Sequence, residues 1–366
     1  MPEVIIKNSI KDFNKADWNN CFKQIIEDYD YLLATEKANI KGFNFFYIAV
    51  KEQGKIIAAT SAFTTHYSLD STVQGIFKKI LLSIKKIFPS FLSFNLACIG
   101  SVETEINYLG FYPGISDEDK KNYLKQILFA FEEYAKQKRI RLFGVKDIPK
   151  SENFLWQDTM RSLNYKAMNG LPTAINEINF KNINEYLDNL SYNSRKNLRR
   201  KLKKNPVTIN VIKNLEDLNN IMDFYYETKN RSDLQFGELT EDFFKEVFKN
   251  MGKRAMYSIY SAEGKIIGFN LSFLDQNTFI DKFIFSKNNV GRKYNLYFIS
   301  WIENIKYCID NNIKIYQTGQ GAYKTKLSLG CKLLPNYIYF KHQTPWIYKI
   351  LQWIRPLLEI KAPSHD

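Results

Sequence analysis

The stretches FFYIAVKEQGKIIAATSAF at 45–63 and AMYSIYSAEGKIIGFNLSF at 255–273 share Gly-Lys-Ile-Ile letter for letter. In each, a run of aromatic and β-branched residues leads to a turn at Gly54 or Gly264 and a second such run follows, which predicts strand, two-residue turn and strand. Downstream, YLKQILFAFEEYAKQKRIRLFGV at 123–145 and LYFISWIENIKYCIDNNIKIYQTG at 296–319 both read as a helix of apolar periodicity, a polar break and a short strand. One hairpin recurs easily by chance; hairpin, helix and strand in the same order in both halves predict an internal duplication. The copies differ in spacing. Ile57 to Ile140 spans about 83 positions and Ile267 to Ile313 about 46, so the first copy carries roughly 37 more residues between hairpin and helix.

Length and composition agree with two domains. The chain has 366 residues, 45% of them apolar, with 28 Phe and 23 Tyr, enough to build two ordinary cores. The net charge of +14 predicts an anionic partner such as nucleic acid, a membrane face or a phosphate-rich cofactor, although an Asn, Ile and Lys-rich composition raises the charge by itself. Cys21, Cys98, Cys308 and Cys331 form no CxxC pair, so neither a zinc knuckle nor a disulfide framework is indicated, and no metal site is expected. The N-terminal MPEVIIKNSIKDF does not read as a signal peptide, and no long uncharged apolar run predicts a membrane span, so a cytoplasmic protein is expected.

Between the copies lies SYNSRKNLRRKLKKN at 191–205, a short helix capped by Ser191 or Asn193, closed by Pro206 and crowded with Arg and Lys. It reads either as a solvated connector or as a phosphate-facing surface, because guanidinium groups match phosphate oxygens bidentately. Near the end, GQGAYKTKLSLGCKLLP at 319–335 puts two glycines and a glutamine at a turn, then Lys324 and Lys326. A plain strand-to-helix turn needs one glycine at most.

This order of elements resembles the GNAT superfamily of acyltransferases, and the tandem copy resembles its double-domain branch, which includes Fem-type peptidoglycan aminoacyltransferases and bacterial acyl-CoA N-acyltransferases with a similar basic helix before the second copy. The resemblance covers about residues 10 to 345 and rests mainly on the basic helix and the glycine-lysine turn. It implies an α/β fold of two GNAT-like domains, each a central mixed sheet flanked by helices: 1–180 with a basic amphipathic insertion at about 68–105, a connecting helix at 181–206, a catalytic domain at 207–345 and an amphipathic tail at 346–366.

What the resemblance implies about chemistry can be set on particular residues. GNAT domains hold the cofactor's pyrophosphate on backbone N–H groups where a loop feeds a helix. SKNNVGRKYNLYF at 286–298 stands at that place, with Gly291, Arg292 and Lys293 toward the phosphates and Lys324 beside them, but it has one glycine where the family pattern has two. Many GNAT proteins place alanine, tyrosine and glycine at four-residue spacing on a final helix; here the positions are Ala322, Lys326 and Gly330, with lysine for tyrosine. The resemblance thus makes Lys326 the group that meets developing negative charge, with Tyr323 as the alternative. Asp281 in NTFIDKFIFSK is the candidate base. Glu103 and Glu105 in GSVETEINYLG are candidate acceptor-binding residues from the first copy.

The first copy has no counterpart to the glycine-lysine turn. KSENFLWQDTMRSLNYKAM at 150–168 offers no lysine there, so one active site is expected, with the first copy shaping the acceptor pocket. Acyl-CoA is the donor implied and a small-molecule or lipid-linked amine the acceptor. The runner-up is a Fem-type enzyme charging its acceptor from aminoacyl-tRNA, although the helical hairpin such enzymes often insert after the basic helix is not evident. A non-catalytic protein binding membrane or nucleic acid on the same fold is the third reading. GIFKKILLSIKKIF at 75–88 and PWIYKILQWIRPLL at 345–358 both place apolar residues at helical spacing, with lysines on the other side of the first, a pattern suited to an anionic membrane surface. Peripheral attachment to the inner membrane face is therefore expected, and the sequence does not fix the oligomeric state.

Overall fold

The computed structural model describes residues 2–23, 25–68, 83, 86, 93–203, 206–218, 220–231 and 237–359. The chain forms two compact units. Unit 1 comprises Met1–Leu171, Asp233–Leu239 and Pro335–Lys361, and unit 2 is built from Pro172–Ser232 and Thr240–Leu334.

Unit 1 is built on one mixed sheet. Its strands are β1 (Glu3–Lys7), β2 (Phe43–Glu52), β3 (Lys55–Ser68), β4 (Ser93–Ile99), β5 (Gly110–Phe111), β6 (Leu142–Pro149) and β7 (Lys166–Asn169), joined by β15 (Asn336–His342). The order is β1-β2-β3-β4-β6-β15-β7, with β5 on β3. Unit 2 contains β8 (Thr173–Glu177), β9 (Thr208–Val211), β10 (Ala255–Ala262), β11 (Lys265–Leu274), β12 (Thr278–Ser286), β13 (Ile315–Gln317) and β14 (Lys332–Leu334), in the order β14-β8-β13-β12-β11-β10-β9.

Written from the N-terminal edge inward, the two sheets are one pattern, except that each takes one of its last strands from the other end of the sequence. β8 follows unit 1 but pairs between β13 and β14, while β15 follows unit 2 but pairs between β6 and β7. The boundaries expected at 180 and 345 are corrected accordingly to 171 and 335, and the basic helix belongs to unit 2. A strand's alternation states which face is buried, not which sheet it joins, so the exchange is invisible in the pattern.

The duplication extends to local irregularities. Gln53 and Gly54 have φ of 49° and 81°, and Glu263 and Gly264 have 52° and 73°, the left-handed pair a tight two-residue hairpin needs. Each hairpin shifts register two residues before its turn, between Val50 and Lys51 in one and between Tyr260 and Ser261 in the other. The main helices also end alike. Asp117–Gln137 and Leu296–Asp310 lead to left-handed residues, Arg139 and Asn312, and their chains close with Ile140 N–H on Ala135 O and Ile313 N–H on Cys308 O, both 2.9 Å.

In unit 1, Ser116 caps the Asp117–Gln137 helix through the Asp119 amide, and three acids stand in its first turn. Leu124, Ile127, Leu128 and Phe131, at three- and four-residue spacing, pack with Phe46, Ile99, Phe143 and Met160 in one core. β4 starts at Ser93, so the insertion expected at 68–105 includes a central sheet strand. The basic amphipathic segment at 75–88 lies outside the described residues apart from 83 and 86.

Candidate functional site

In unit 2, β12 and β13 pair in parallel only over Thr278–Ile280 and Ile315–Gln317. β12 runs on to Ser286 while β13 stops, so the two strands part at Asp281, the first β12 residue beyond their pairing. Its carboxylate is held at both oxygens: Asn270 Nδ2 donates to Oδ1 at 2.6 Å and the Tyr316 hydroxyl to Oδ2 at 2.8 Å. Both donors are fixed in turn, because Ser272 Oγ donates to Asn270 Oδ1 at 2.8 Å and Asn304 Nδ2 to the Tyr316 hydroxyl at 3.2 Å. Burial pushes the Asp281 carboxyl above the usual carboxylate range; the hydrogen bonds from Asn270 and Tyr316 and the nearby Lys326 ammonium only partly oppose this.

Lys326 is buried on the Tyr323–Ser328 helix and donates to the carbonyls of Thr318 and, at 3.2 Å, Gly319. The turn before the helix explains the glycines of the 319–335 stretch. Gly319, Gly321 and Ala322 have φ of 68°, 94° and 49°, so three of its four residues are left-handed, and Gly330 beyond the helix has 88°. The spacing argument for Ala322, Lys326 and Gly330 is corrected here: Ala322 is an exposed N-cap and Gly330 lies past the helix end, so only Lys326 projects inward.

Unit 1 provides an internal control. Matching Gly54 to Gly264 and Ile140 to Ile313 sets the copies in register, and the ladders agree, since Ala62 opposes Ile99 as Ser272 opposes Asp281. Lys326 is then matched by Met160: Tyr165 N–H closes on Met160 O at 2.9 Å after left-handed Asn164, as Cys331 N–H closes on Lys326 O at 3.0 Å after left-handed Gly330. By the same registers Asp281 corresponds to Ile99, Ser272 to Ala62, Tyr316 to Phe143, Asn304 to Phe131 and Asn270 to Thr60. Five of these six unit 1 residues, Thr60 being the sixth, belong to one hydrophobic core. Unit 2 thus holds a carboxylate, an ammonium and their hydrogen-bond partners where its twin is oily. Buried charges of this kind cost stability unless paired, so folding alone does not favour them.

Tyr297 adds to the set. Its hydroxyl is buried without a hydrogen-bond partner among the described residues, and burial followed by the Asp281 charge raises its pKa. Its unit 1 match is Leu124, again in the core.

The other predicted residues fall elsewhere. The Tyr323 hydroxyl donates to Pro172 O at 2.8 Å, tying the turn to the start of β8, and Lys324 is exposed. Gly291 is buried in the Asn288–Lys293 helix and its N–H donates to Lys287 O at 2.7 Å, so that amide is already used. A Cβ on Gly291 would stand 2.3 Å from Ser286 Oγ, so packing accounts for the glycine. Gly291→Ala is therefore expected to lower the melting temperature with or without donor, by a cost of about 1–3 kcal/mol. Unchanged stability with lost donor binding, read by thermal denaturation and titration, would restore the phosphate role.

Arg292 and Lys293 are exposed, and Lys293 pairs with Glu263 at 3.4 Å. The Tyr192–Leu202 helix brings another cation to this end of unit 2. Ser191 caps it, Leu198 anchors it, and its Lys201 ammonium lies 3.3 Å from the Phe298 ring centroid beside the start of the Leu296–Asp310 helix. Lys201, Arg292 and Lys293 thus place three cations at this end of unit 2, whereas the Gly291 amide is already bonded within its helix. Glu103 and Glu105 lie in unit 1, in the loop after β4; Lys146 fastens that loop through the carbonyls of Ser101 at 3.0 Å and Thr104 at 2.7 Å. All four cysteines are buried, and burial raises Cys21 and Cys98 to about 12 and Cys331 to about 11, as expected of spectator thiols.

Comparison with known proteins gives the same architecture. A family profile described as FemAB-like, peptidoglycan biosynthesis and recognition, matches residues 114–349. Among solved structures, FemX aligns with a TM-score of 0.63 at 12% identity, over 96% of this chain and all of that one. A tandem GNAT protein from the clavulanic acid biosynthesis pathway aligns at 0.55 and 8% identity, over 94% and 99%. L-PGS from Bacillus licheniformis aligns at 0.51 and 12%, over 89% and 92%. At these identities the likeness is one of fold. No curated protein sequence matches the chain.

Proposed function

The chain belongs to the FemAB-like family of peptidoglycan biosynthesis and recognition, and from that premise we propose that unit 2 is an N-acyltransferase moving an acyl group from acyl-CoA to an amine on a small or lipid-linked acceptor. The observation that carries this is the replacement of a hydrophobic core by Asp281, Lys326 and their partners at the point where β12 and β13 part.

In this reading the acceptor amine attacks the acyl carbonyl carbon, forming the C–N bond. Asp281 takes the proton released from nitrogen, and its raised pKa brings it closer to that task. The Lys326 ammonium, held in place by two carbonyls of its turn, meets the charge that develops on the carbonyl oxygen. The C–S bond then breaks and the thiolate leaves. The Tyr297 hydroxyl, lacking a partner among the described residues, would donate to the substrate. The reading places the enzyme in the cytoplasm, where acyl-CoA and envelope precursors are both at hand.

Family membership favours a second donor, aminoacyl-tRNA, for which the cleaved bond is C–O and the basic helix supplies phosphate contacts. Thermal denaturation with CoA, acyl-CoA and aminoacyl-tRNA in parallel separates the two. A ligand at about a hundredfold over its Kd stabilises by about 2.7 kcal/mol. Stabilisation by CoA thioesters is expected. A response to aminoacyl-tRNA alone would install the second reading, and no response to any donor would remove both.

A further inference from the structure

The Pro345–Leu358 helix of unit 1 is divided along its length. Tyr348, Leu351 and Ile354 are buried; the Tyr348 ring meets Phe340 of β15 edge-on at 6.1 Å, and Arg355 Nη1 donates to Ala167 O at 3.1 Å. On the other side Trp346, Ile350, Trp353 and Leu357 are 65%, 43%, 82% and 54% exposed. Their spacing of four, three and four residues places them in one strip along the helix. Contiguous apolar strips of this kind mark interaction sites on soluble chains. Core packing is already served by the buried side, so the strip has no role in holding unit 1 together.

Two features say what covers it. The two most exposed members are tryptophans, whose rings suit the boundary between headgroups and acyl chains. Bordering them is Lys349, exposed and without an ion pair or hydrogen bond among the described residues, and the helix itself contains no acid. The nearest acid, Glu359, follows the helix and is paired with Arg355 at 3.7 Å. An apolar strip edged by an unpaired cation, on a chain of net charge +14, complements an anionic bilayer. Among the described residues no helix is long and apolar enough to cross a membrane, so the helix would lie on it. We propose that Trp346, Ile350, Trp353 and Leu357 form a bilayer-docking face that seats the Pro345–Leu358 helix flat on anionic lipid.

The test is flotation of the full chain with vesicles of equal parts phosphatidylglycerol and phosphatidylethanolamine at low salt, with tryptophan fluorescence read in parallel. Trp18, Trp156 and Trp301 are fully buried, so a blue shift on adding vesicles reports Trp346 and Trp353. Wild type is expected to float and shift. The double variant Trp346→Ser, Trp353→Ser, which keeps the buried face, is expected to melt as wild type does and to lose about tenfold or more of its partitioning. Lys349→Glu should weaken flotation, and raised salt should do the same. Failure of wild type to float, or a double variant that floats as well as wild type, would overturn the proposal. So would a concentration-dependent dimer that the double variant disperses without any vesicle binding. Turnover of a soluble acceptor does not involve this helix, so the docking face and the transferase reading fail separately.

Discussion

Lys326→Met is expected to lower acyl transfer by about a hundredfold or more while the melting temperature barely moves. Unit 1 shows that methionine fits such a position: Met160 occupies the matching place, fully buried in its core. Methionine keeps the length and apolar stem of lysine and removes the charge. Two stability effects oppose each other. The carbonyls of Thr318 and Gly319 lose their donor, which costs roughly 1–3 kcal/mol if they stay unpaired, and a buried ammonium no longer has to be desolvated. In the proposed reaction the kinetic effect has no such compensation, because there the lost charge is the one that meets the developing negative charge. Lys324→Met, at an exposed position of the same helix, is the comparison and should cost less. Retained turnover in Lys326→Met alongside loss in a Tyr323 variant would assign the role to Tyr323 instead.

The duplication is legible in the sequence because its evidence is local. A two-residue turn needs left-handed residues, and Gln53-Gly54 and Glu263-Gly264 announce it in letters. Helix periodicity and the polar break after each helix are equally local. The strand exchange was hidden, since nothing in the alternation of residues 173–177 or 336–342 states which sheet supplies the neighbour. β4 falls inside the insertion expected at 68–105 because its counterpart β12 is preceded by a short connection and β4 by a long one. At the site, Asp281 stands out as an acid within a mostly apolar strand, and Lys326 is reached through the resemblance, since Lys324 two residues away reads the same by itself. Tyr316, Asn270 and Asn304 do not stand out, because each reads as an ordinary buried position, and only tertiary proximity builds them into the hydrogen-bond network of a carboxylate, with the Tyr297 hydroxyl nearby. Gly291 is ambiguous for a general reason: a glycine at a helix start serves close packing as readily as it serves a ligand, and the letters do not separate the two.

Asp281→Asn is expected to reduce acyl transfer by about 10²- to 10⁴-fold, the usual contribution of a positioned base. The substitution suits the site sterically. The amide oxygen still accepts from Asn270 Nδ2, and the amide nitrogen takes the place of the oxygen that faced the Tyr316 hydroxyl, which can accept from it. What disappears is the capacity to take a proton. In wild type the acid limb of kcat/KM should lie above the ordinary carboxylate range, because burial raises the Asp281 pKa; the variant's residual activity should lack that limb. Stability gives a second, independent reading. A carboxyl whose folded pKa is raised contributes stability that is fully present below its unfolded pKa and lost as pH rises through its folded pKa. At neutral pH wild type has therefore already lost this contribution, whereas asparagine, which does not titrate, has none to lose. The melting temperature of Asp281→Asn should thus gain on that of wild type as pH rises from acid to neutral. A variant that is inactive, and whose melting temperature also falls behind wild type toward neutral pH, would mean that the ionised carboxylate holds unit 2 together and that its role is structural. An active variant with an unchanged acid limb would remove Asp281 from the reaction altogether.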